Sequence, residues 1–238
     1  MSEGIDFDQL QRFWHAALAE DGAGRDITSQ IAVDPRDTVA ADIVMRGKGV
    51  FAGKILFDLL QNEDDHLTQV TCDLEDEEVL NPGMPLAHLA GPMPHVLTIE
   101  RTLLNFLQRL CGVATITRRY VDAVAGTSAS IFDTRKTIPG WRQLDKYAVR
   151  CGGGQNHRAG LHDAVLIKDN HLVGIPASRL AAAVFDMLNR AASLNPPPTF
   201  IECEVDSLEQ FDALLDVVGI DVILLDNFSL KDMHEAVK

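Results

Sequence analysis

The sequence predicts an α/β protein in two parts: an N-terminal α+β domain with a connecting helix over residues 1–112, and a domain of parallel βα units over 113–238. Three observations predict this. Before residue 98, helical and alternating apolar spacings are mixed within short segments. From Thr98 a long helical pattern follows, with Ile99, Leu103, Phe106, Leu107 and Leu110 on one face. Beyond it, four short apolar runs, each ending in polar residues, alternate with helical segments, the pattern of parallel strands joined by right-handed crossovers.

Taken in order, Leu10, Phe13, Trp14, Ala17 and Leu18 recur at helical spacing, and Asp21-Gly22-Ala23-Gly24 breaks the pattern, so 7–20 reads as an amphipathic helix. Val39, Ala41, Ile43 and Met45 alternate as in a half-buried strand. Glycines punctuate 47–53, Ile55 to Leu60 reads as helix, and short strands are expected near 67–72 and 84–90 around Asn81-Pro82-Gly83. The acidic run Asp73 to Glu78 reads as a solvated loop. Gly112 is expected to break the long helix and start a second one ending near Gly126, which puts the domain boundary there. The four later runs are Ile131-Phe132 into Asp133-Thr134-Arg135-Lys136, Ala164 to Ile167 into Lys168-Asp169-Asn170-His171, Phe200 to Glu204, and Val222 to Leu225 into Asp226-Asn227. Helices are expected at 177–192 and 207–217, the latter opening on Ser207 and Gln210 as a capping box.

Charge is segregated along this chain. Its net charge is −14, yet residues 101–168 carry 11 Lys and Arg against 4 Asp and Glu. Such a local excess focuses a field suited to a small anion. A sequence pI near 4.8 argues against general nucleic-acid binding, which needs a broad basic footprint. No stretch reaches the ~20 apolar residues of a membrane span, and MSEGIDFDQL places acidic residues where a secretory signal is basic, so a cytoplasmic location is expected. Cys72, Cys111, Cys151 and Cys203 show no CxxC spacing, which predicts reduced, buried thiols rather than a zinc site or disulfides.

In parallel βα folds chemistry collects at the C-terminal ends of strands, where this chain keeps its charged residues. Arg135 and Lys136 follow one such run. A guanidinium and an ammonium there suit carboxylate or phosphate, although a plain surface pair has the same appearance. Gly152-Gly153-Gly154 ahead of His157 and Arg158 reads either as a backbone approach to a ligand or as a plain glycine turn, and it lacks the GxGxxG spacing of a dinucleotide site. Lys168 ends an apolar strand, a position that favours function over decoration. Glu202 and Glu204 share one strand face, and Asp226 ends the next strand; these carboxylates suit Mg²⁺, a developing positive charge, or neutralisation of neighbouring cations. His157 and His162 match no common zinc spacing.

Glu100-Arg101-Thr102-Leu103-Leu104-Asn105, Asp133 to Gly140, Lys146 to Gly154, Asn156-His157-Arg158, Ile167 to His171, Glu202 to Asp206 and Leu224 to Phe228, with Glu20-Asp21 to Thr28-Ser29 near the start, together closely resemble the quinolinate phosphoribosyltransferase family. The resemblance implies transfer of phosphoribose from phosphoribosyl pyrophosphate (PRPP) to quinolinate with decarboxylation, giving nicotinate mononucleotide in NAD synthesis, with Mg²⁺ and no prosthetic group. It implies that Arg135, His157, Arg158 and Lys168 line the quinolinate site. Lys136 and Lys168 would lie near the PRPP donor, Glu204 and Asp226 would serve its metal and ribose, and Arg101 would reach the neighbouring site of a homodimer. It also implies that 113–238 is an incomplete (β/α) barrel of parallel strands, lacking the last strands of the family. Two other readings remain beside it: a non-catalytic, shortened homologue that keeps the dimer and the anion site, and a molybdenum-transport-associated relative, which Arg150 to Gly154 and Ile167 to His171 fit less well.

Overall fold

The computed structural model describes residues 5–62 and 67–238, so Met1 to Gly4 of the acidic N-terminal stretch lie outside the described residues. The chain forms two compact units, residues 1–157 and 158–238.

The first unit opens with helix α1 (Phe7–Glu20), whose N-cap Asp6 accepts a hydrogen bond from the Gln9 amide and whose Leu10 and Trp14 are buried. Helix α2 (Ile27–Ala32) is capped by Asp26, which accepts from the amides of Thr28 and Ser29. There follow β1 (Thr38–Val44), β2 (Gly49–Val50), α3 (Lys54–Gln61), β3 (Gln69–Thr71), β4 (Val79–Leu80), β5 (Pro85–Pro92), α4 (Met93–Ala123) and α5 (Arg142–Cys151). Strands β1, β5 and β3 form an antiparallel sheet in that order, with Thr38 opposite Pro92 and Ile43 opposite Ala87. The two-residue strands β2 and β4 pair separately, too short to show in an apolar pattern.

The core gathers Trp14, Phe51, Leu56, Phe57, Leu103, Phe106 and Leu110, all nearly inaccessible. Burying each such side chain contributes about 2–3 kcal/mol. Phe13 meets Trp141 edge-on at 5.1 Å, and the Arg109 guanidinium lies 5.0 Å from the Trp141 ring. The same guanidinium makes two hydrogen bonds to Asp145, at 3.0 and 2.8 Å, tying α5 to α4.

Helix α4 corrects the expected break: it runs unbroken through Gly112. A glycine in a helix costs only about 1 kcal/mol, and burial of Leu110, Cys111, Ala114 and Thr117 on either side outweighs that. It also starts earlier than expected, with Pro94 in its first turn, where a missing N–H costs nothing.

Ile131-Phe132 is not a strand. Phe132 makes one isolated parallel bridge with Gln155, supported by Asp133 N to Gln155 O (3.1 Å) and Gln155 N to Ile131 O (2.8 Å). Two apolar residues facing a Gly-Gln-Asn segment offer too little pairing to extend into a ladder.

The acidic run is not simply solvated. Asp76 accepts from the amides of Gly53 and Lys54 at the start of α3 and from the Tyr147 hydroxyl at 2.5 Å. An acidic residue at a helix start is a favourable cap, here supplied from a distant loop.

The glycine run serves packing. A Cβ on Gly152 would stand 2.5 Å from the Thr117 Cβ and 2.6 Å from the Ala114 carbonyl, one on Gly154 would stand 2.8 Å from side-chain carbons of Thr117 and Val149, and Gly153 has φ +86°. It is a tight glycine turn pressed against α4.

The second unit contains β6 (Val165–Ile167), a short 3-10 turn (Asp169–His171), α6 (Ala177–Ala191), β7 (Ile201–Val205), α7 (Leu208–Leu214), β8 (Val222–Leu225) and α8 (Leu230–Ala236). The three strands are parallel in the order β6-β7-β8, with Ile167 beside Cys203 and Cys203 beside Ile223. Leu180, Val184 and Leu188 form the buried stripe of α6 against Ile167, Cys203, Val205 and Leu214. Ser207 caps α7 by accepting from the Gln210 amide, and the Gln210 side chain accepts from Asp206 N rather than from Ser207 N. Ser229 caps α8 in the same way.

Candidate active site

In the first unit the cationic residues divide into those that build and those that are offered. Arg109 is bound to Asp145, Arg118 Nε donates to the Gly152 carbonyl (2.9 Å), Arg150 donates to the Asn156 side chain, and Lys146 pairs with Asp133 at 2.5 Å. Much of the cationic excess is thus consumed in holding α4, α5 and the glycine turn together.

Arg135 and Lys136 differ from these. They sit on a tight turn in which Thr134 Oγ1 accepts from the Lys136 amide at 3.0 Å and the Arg135 carbonyl accepts from Thr137 N at 2.9 Å. Lys136 is exposed. Arg135 is half-buried, and its Nε is buried with no hydrogen-bond partner among the described residues. An unsatisfied buried guanidinium N–H costs about 1–3 kcal/mol or more unless a ligand takes it. Beneath the turn lies a hollow of about 310 Å³ lined in part by Tyr120, Phe132, Thr134, Lys136 and Lys146. His157, half-buried, is fixed through its backbone: its N–H donates to Asp133 and its carbonyl accepts from Lys146 Nζ.

Arg101 lies elsewhere in the same unit. It projects exposed from α4 beside a hollow of about 1140 Å³, whose rim also carries Arg46, Lys48 and Arg119 over an apolar floor that includes Val39, Ile43 and Leu104.

In the second unit the parallel strands deliver their charged residues to one end. Lys168 directly follows β6, Glu204 is the penultimate residue of β7, and Asp226 directly follows β8, where its amide donates to the Val205 carbonyl at 2.9 Å. Lys168 Nζ forms an ion pair with Glu204, whose side chain is only 10 % exposed. The Lys168 amide donates to His171 Nδ1 at 2.9 Å, so the following turn holds the lysine in place. Asp226 is half-buried and accepts from the Asn227 side chain. Glu202 shares the Glu204 face of β7 and is 2 % exposed. Between them Cys203 faces the opposite side, and burial, reinforced by both carboxylates, pushes its thiol up to about 11. Arg158 is buried and donates to the Ala164 carbonyl at 3.2 Å.

Strand order and register thus bring Lys168, Glu204 and Asp226 together, and the Asp133 hub brings Arg135, Lys136 and His157 to one region of the first unit. Sequence reading assigned no role to Asp133, Lys146 or Asn156. Lys146 itself gave no signal, because it shares its helix face with Arg142, Gln143 and Arg150, and only the fold buries it. A lysine forced inside must be paired.

Parallel strands that end in cations and carboxylates in one unit, and a turn with an unsatisfied arginine in the other, define a protein that handles small anionic substrates. The sequence patterns of the quinolinate phosphoribosyl transferase N-terminal and C-terminal domains match residues 26–111 and 113–238. The chain belongs to the quinolinate phosphoribosyl transferase family. It is 42 % identical to the nicotinate-nucleotide pyrophosphorylase [carboxylating] of Mycobacterium leprae, over the whole of this chain and 82 % of that protein. It is 37 % identical to a probable nicotinate-nucleotide pyrophosphorylase [carboxylating] of Bacillus subtilis, over 92 % of this chain and 73 % of the relative. The solved nicotinate-nucleotide pyrophosphorylase of Francisella tularensis superposes with a TM-score of 0.83 at 35 % identity, over 98 % of this chain and 79 % of that one.

Proposed function

We propose that this chain is the phosphoribosyltransferase that joins quinolinate to PRPP, releasing pyrophosphate and carbon dioxide and yielding nicotinate mononucleotide for NAD synthesis. The observation that carries the reading is Arg135: its buried guanidinium Nε has no hydrogen-bond partner among the described residues, and a substrate carboxylate would supply one. In this reading Arg135, His157, Arg158 and Lys168 receive the two quinolinate carboxylates, and Lys136 and Lys168 the donor phosphates.

The chemistry follows from charge. As the bond from the anomeric carbon to pyrophosphate breaks, positive charge develops on the ribose, and the carboxylates of Glu204 and Asp226 stabilise it. The ring nitrogen then bonds to that carbon and becomes a pyridinium. When the carboxyl beside the nitrogen leaves as carbon dioxide, its electron pair stays on the ring carbon, next to that positive nitrogen, until a proton replaces it. The reading therefore calls for no prosthetic group.

Two carboxylates, with no third metal-ligating side chain grouped with them among the described residues, suit a Mg²⁺ ion that keeps water and takes its remaining ligands from the donor phosphates. Glu204 and Asp226 would hold it, and it would neutralise the departing pyrophosphate.

The reading also includes a homodimer in which Arg101 serves the neighbouring site. Its support is the exposed Arg101 beside a large apolar hollow with a cationic rim. A cytoplasmic location is part of the same proposal; no helix among the described residues is long and apolar enough to cross a membrane.

The test is direct. Purified protein incubated with quinolinate, PRPP and Mg²⁺ is expected to form nicotinate mononucleotide. Absence of product overturns the reading, and product from nicotinic acid but not from quinolinate changes the substrate.

A further inference from the structure

We infer that Asp133 and Lys146 are positioning residues: their buried ion pair grips both sides of the His157 backbone and the root of the Arg135-Lys136 turn, and so sets where the quinolinate-receiving cations stand. The inference rests on the function proposed above and adds to it two residues that bind no substrate themselves.

Both side chains are only 7 % exposed, and Lys146 Nζ lies 2.5 Å from Asp133 Oδ1. The same oxygen accepts from the His157 amide at 2.9 Å, while Lys146 Nζ donates a second bond to the His157 carbonyl at 2.7 Å. One residue is therefore held at its N–H by the anion and at its C=O by the cation. Asn156 closes the network, donating to Asp133 Oδ2 at 2.6 Å and to the Lys146 carbonyl at 2.9 Å. Thr134, which follows Asp133 directly, holds the Lys136 amide, so the turn is anchored at its first residue.

A buried ion pair is an inefficient way to gain stability, because desolvation offsets most of the attraction and apolar residues of equal volume do as well. What it supplies is direction, since charge-assisted bonds are short and fix angles. Lys146 is carried by α5, which buries Leu144, Tyr147 and Ala148, so the grip originates in a rigid element. Beyond each other and the Asn156 side chain, the pair's hydrogen bonds go to the His157 backbone, which is the arrangement of a support rather than a ligand.

The test uses the full chain with Asp133→Asn and Lys146→Met combined, which removes both charges without burying one alone. At 25 °C the folded double variant is expected to show a quinolinate KM raised at least about tenfold, a smaller rise in PRPP KM transmitted through the Lys136 turn, and His157 amide exchange accelerated at least about tenfold (a one-decade change being the ~1.4 kcal/mol scale of a single charge-assisted bond). A purely structural role lowers the melting temperature and leaves both KM values unchanged in the folded fraction; that result, or unchanged His157 exchange, overturns the inference. Should the double variant not fold, Asp133→Glu keeps the charge but displaces the carboxylate from the His157 amide, and a quinolinate KM within twofold of wild type then overturns it. A wild-type chain that makes no product from quinolinate fails the function reading instead, and the exchange measurement still decides whether the pair grips His157.

Discussion

At the scale of single residues, exposure and partners separate side chains that act from side chains that hold. Lys136 is exposed on a turn braced by Thr134, and Glu204 is paired with Lys168 at the strand ends. Lys136→Ala and Glu204→Ala are each expected to lower kcat at least about a hundredfold, the loss of one electrostatic contact to the reacting groups, while circular dichroism and the melting temperature stay near wild type. Near-normal product formation by either variant removes that residue from the proposed site. The buried thiols report on pH. Burial, then the nearby Asp76 carboxylate, pushes Cys151 up to about 12, and Cys203 is pushed up to about 11. Tyr147 is raised in the same direction by burial and by Asp76. The unfolded chain loses thiol protons from about pH 9 while the folded chain keeps them, so stability is complete below pH 9 and falls as pH rises through 11 to 12. Urea midpoints measured at pH 8 and pH 10.5 are expected to show that fall, with a smaller pH-dependent drop in Cys151→Ala; equal midpoints contradict it.

At the scale of elements, the helix pair α4 and α5 decides where the first unit's cations stand, and two glycines in this region carry opposite predictions. Gly152 has the Thr117 side chain and the Ala114 carbonyl within 2.6 Å of any added Cβ, whereas Gly112 has nothing within 4 Å and lies inside a continuous helix. Gly152→Ala is therefore expected to cost about 1–3 kcal/mol by forcing the glycine turn off α4, and Gly112→Ala to add about 0.5–1 kcal/mol through helix propensity. Denaturant unfolding of both variants checks the pair, and equal effects refute the packing argument. Most elements were legible in advance. The spacing of Leu10, Phe13, Trp14 and Ala17 marks α1 because a single apolar stripe suffices to bury it, and Val39, Ala41 and Ile43 mark β1 by the same argument at period two. The misreadings have physical causes. Gly112 reads as a helix end because propensity is local, while the burial that overrides it is tertiary. Ile131-Phe132 reads as a strand because an apolar pair before charged residues has the same local pattern whether or not a partner strand exists. Asp76 was hidden in an acidic run because its partners, α3 and Tyr147, lie 22 and 71 residues away.

At the scale of the whole molecule, the proposed homodimer makes a quantitative prediction. If Arg101 serves the neighbouring site, Arg101→Ala and Lys136→Ala are each inactive alone, and an equal mixture allowed to exchange subunits is expected to regain about a quarter of wild-type activity, because half of the dimers then contain one complete site out of two. Assays on the mixture, with sedimentation to establish the dimer, check this; no recovery after demonstrated exchange means that Arg101 works within its own chain. The sequence by itself determined the α/β class, the helical and strand periods, the strand-end placement of Lys168, Glu204 and Asp226, and family membership, because apolar periodicity and ordered motifs are local properties of the chain. Only the tertiary structure decided which cations are spent and which are offered. Arg109, Arg118 and Lys146 are as basic in the sequence as Arg135 and Lys136, but partners contributed by distant segments neutralise or bind the first three and leave the Arg135 Nε without one among the described residues. Charge belongs to the residue; its availability depends on burial and on partners brought near only by the fold.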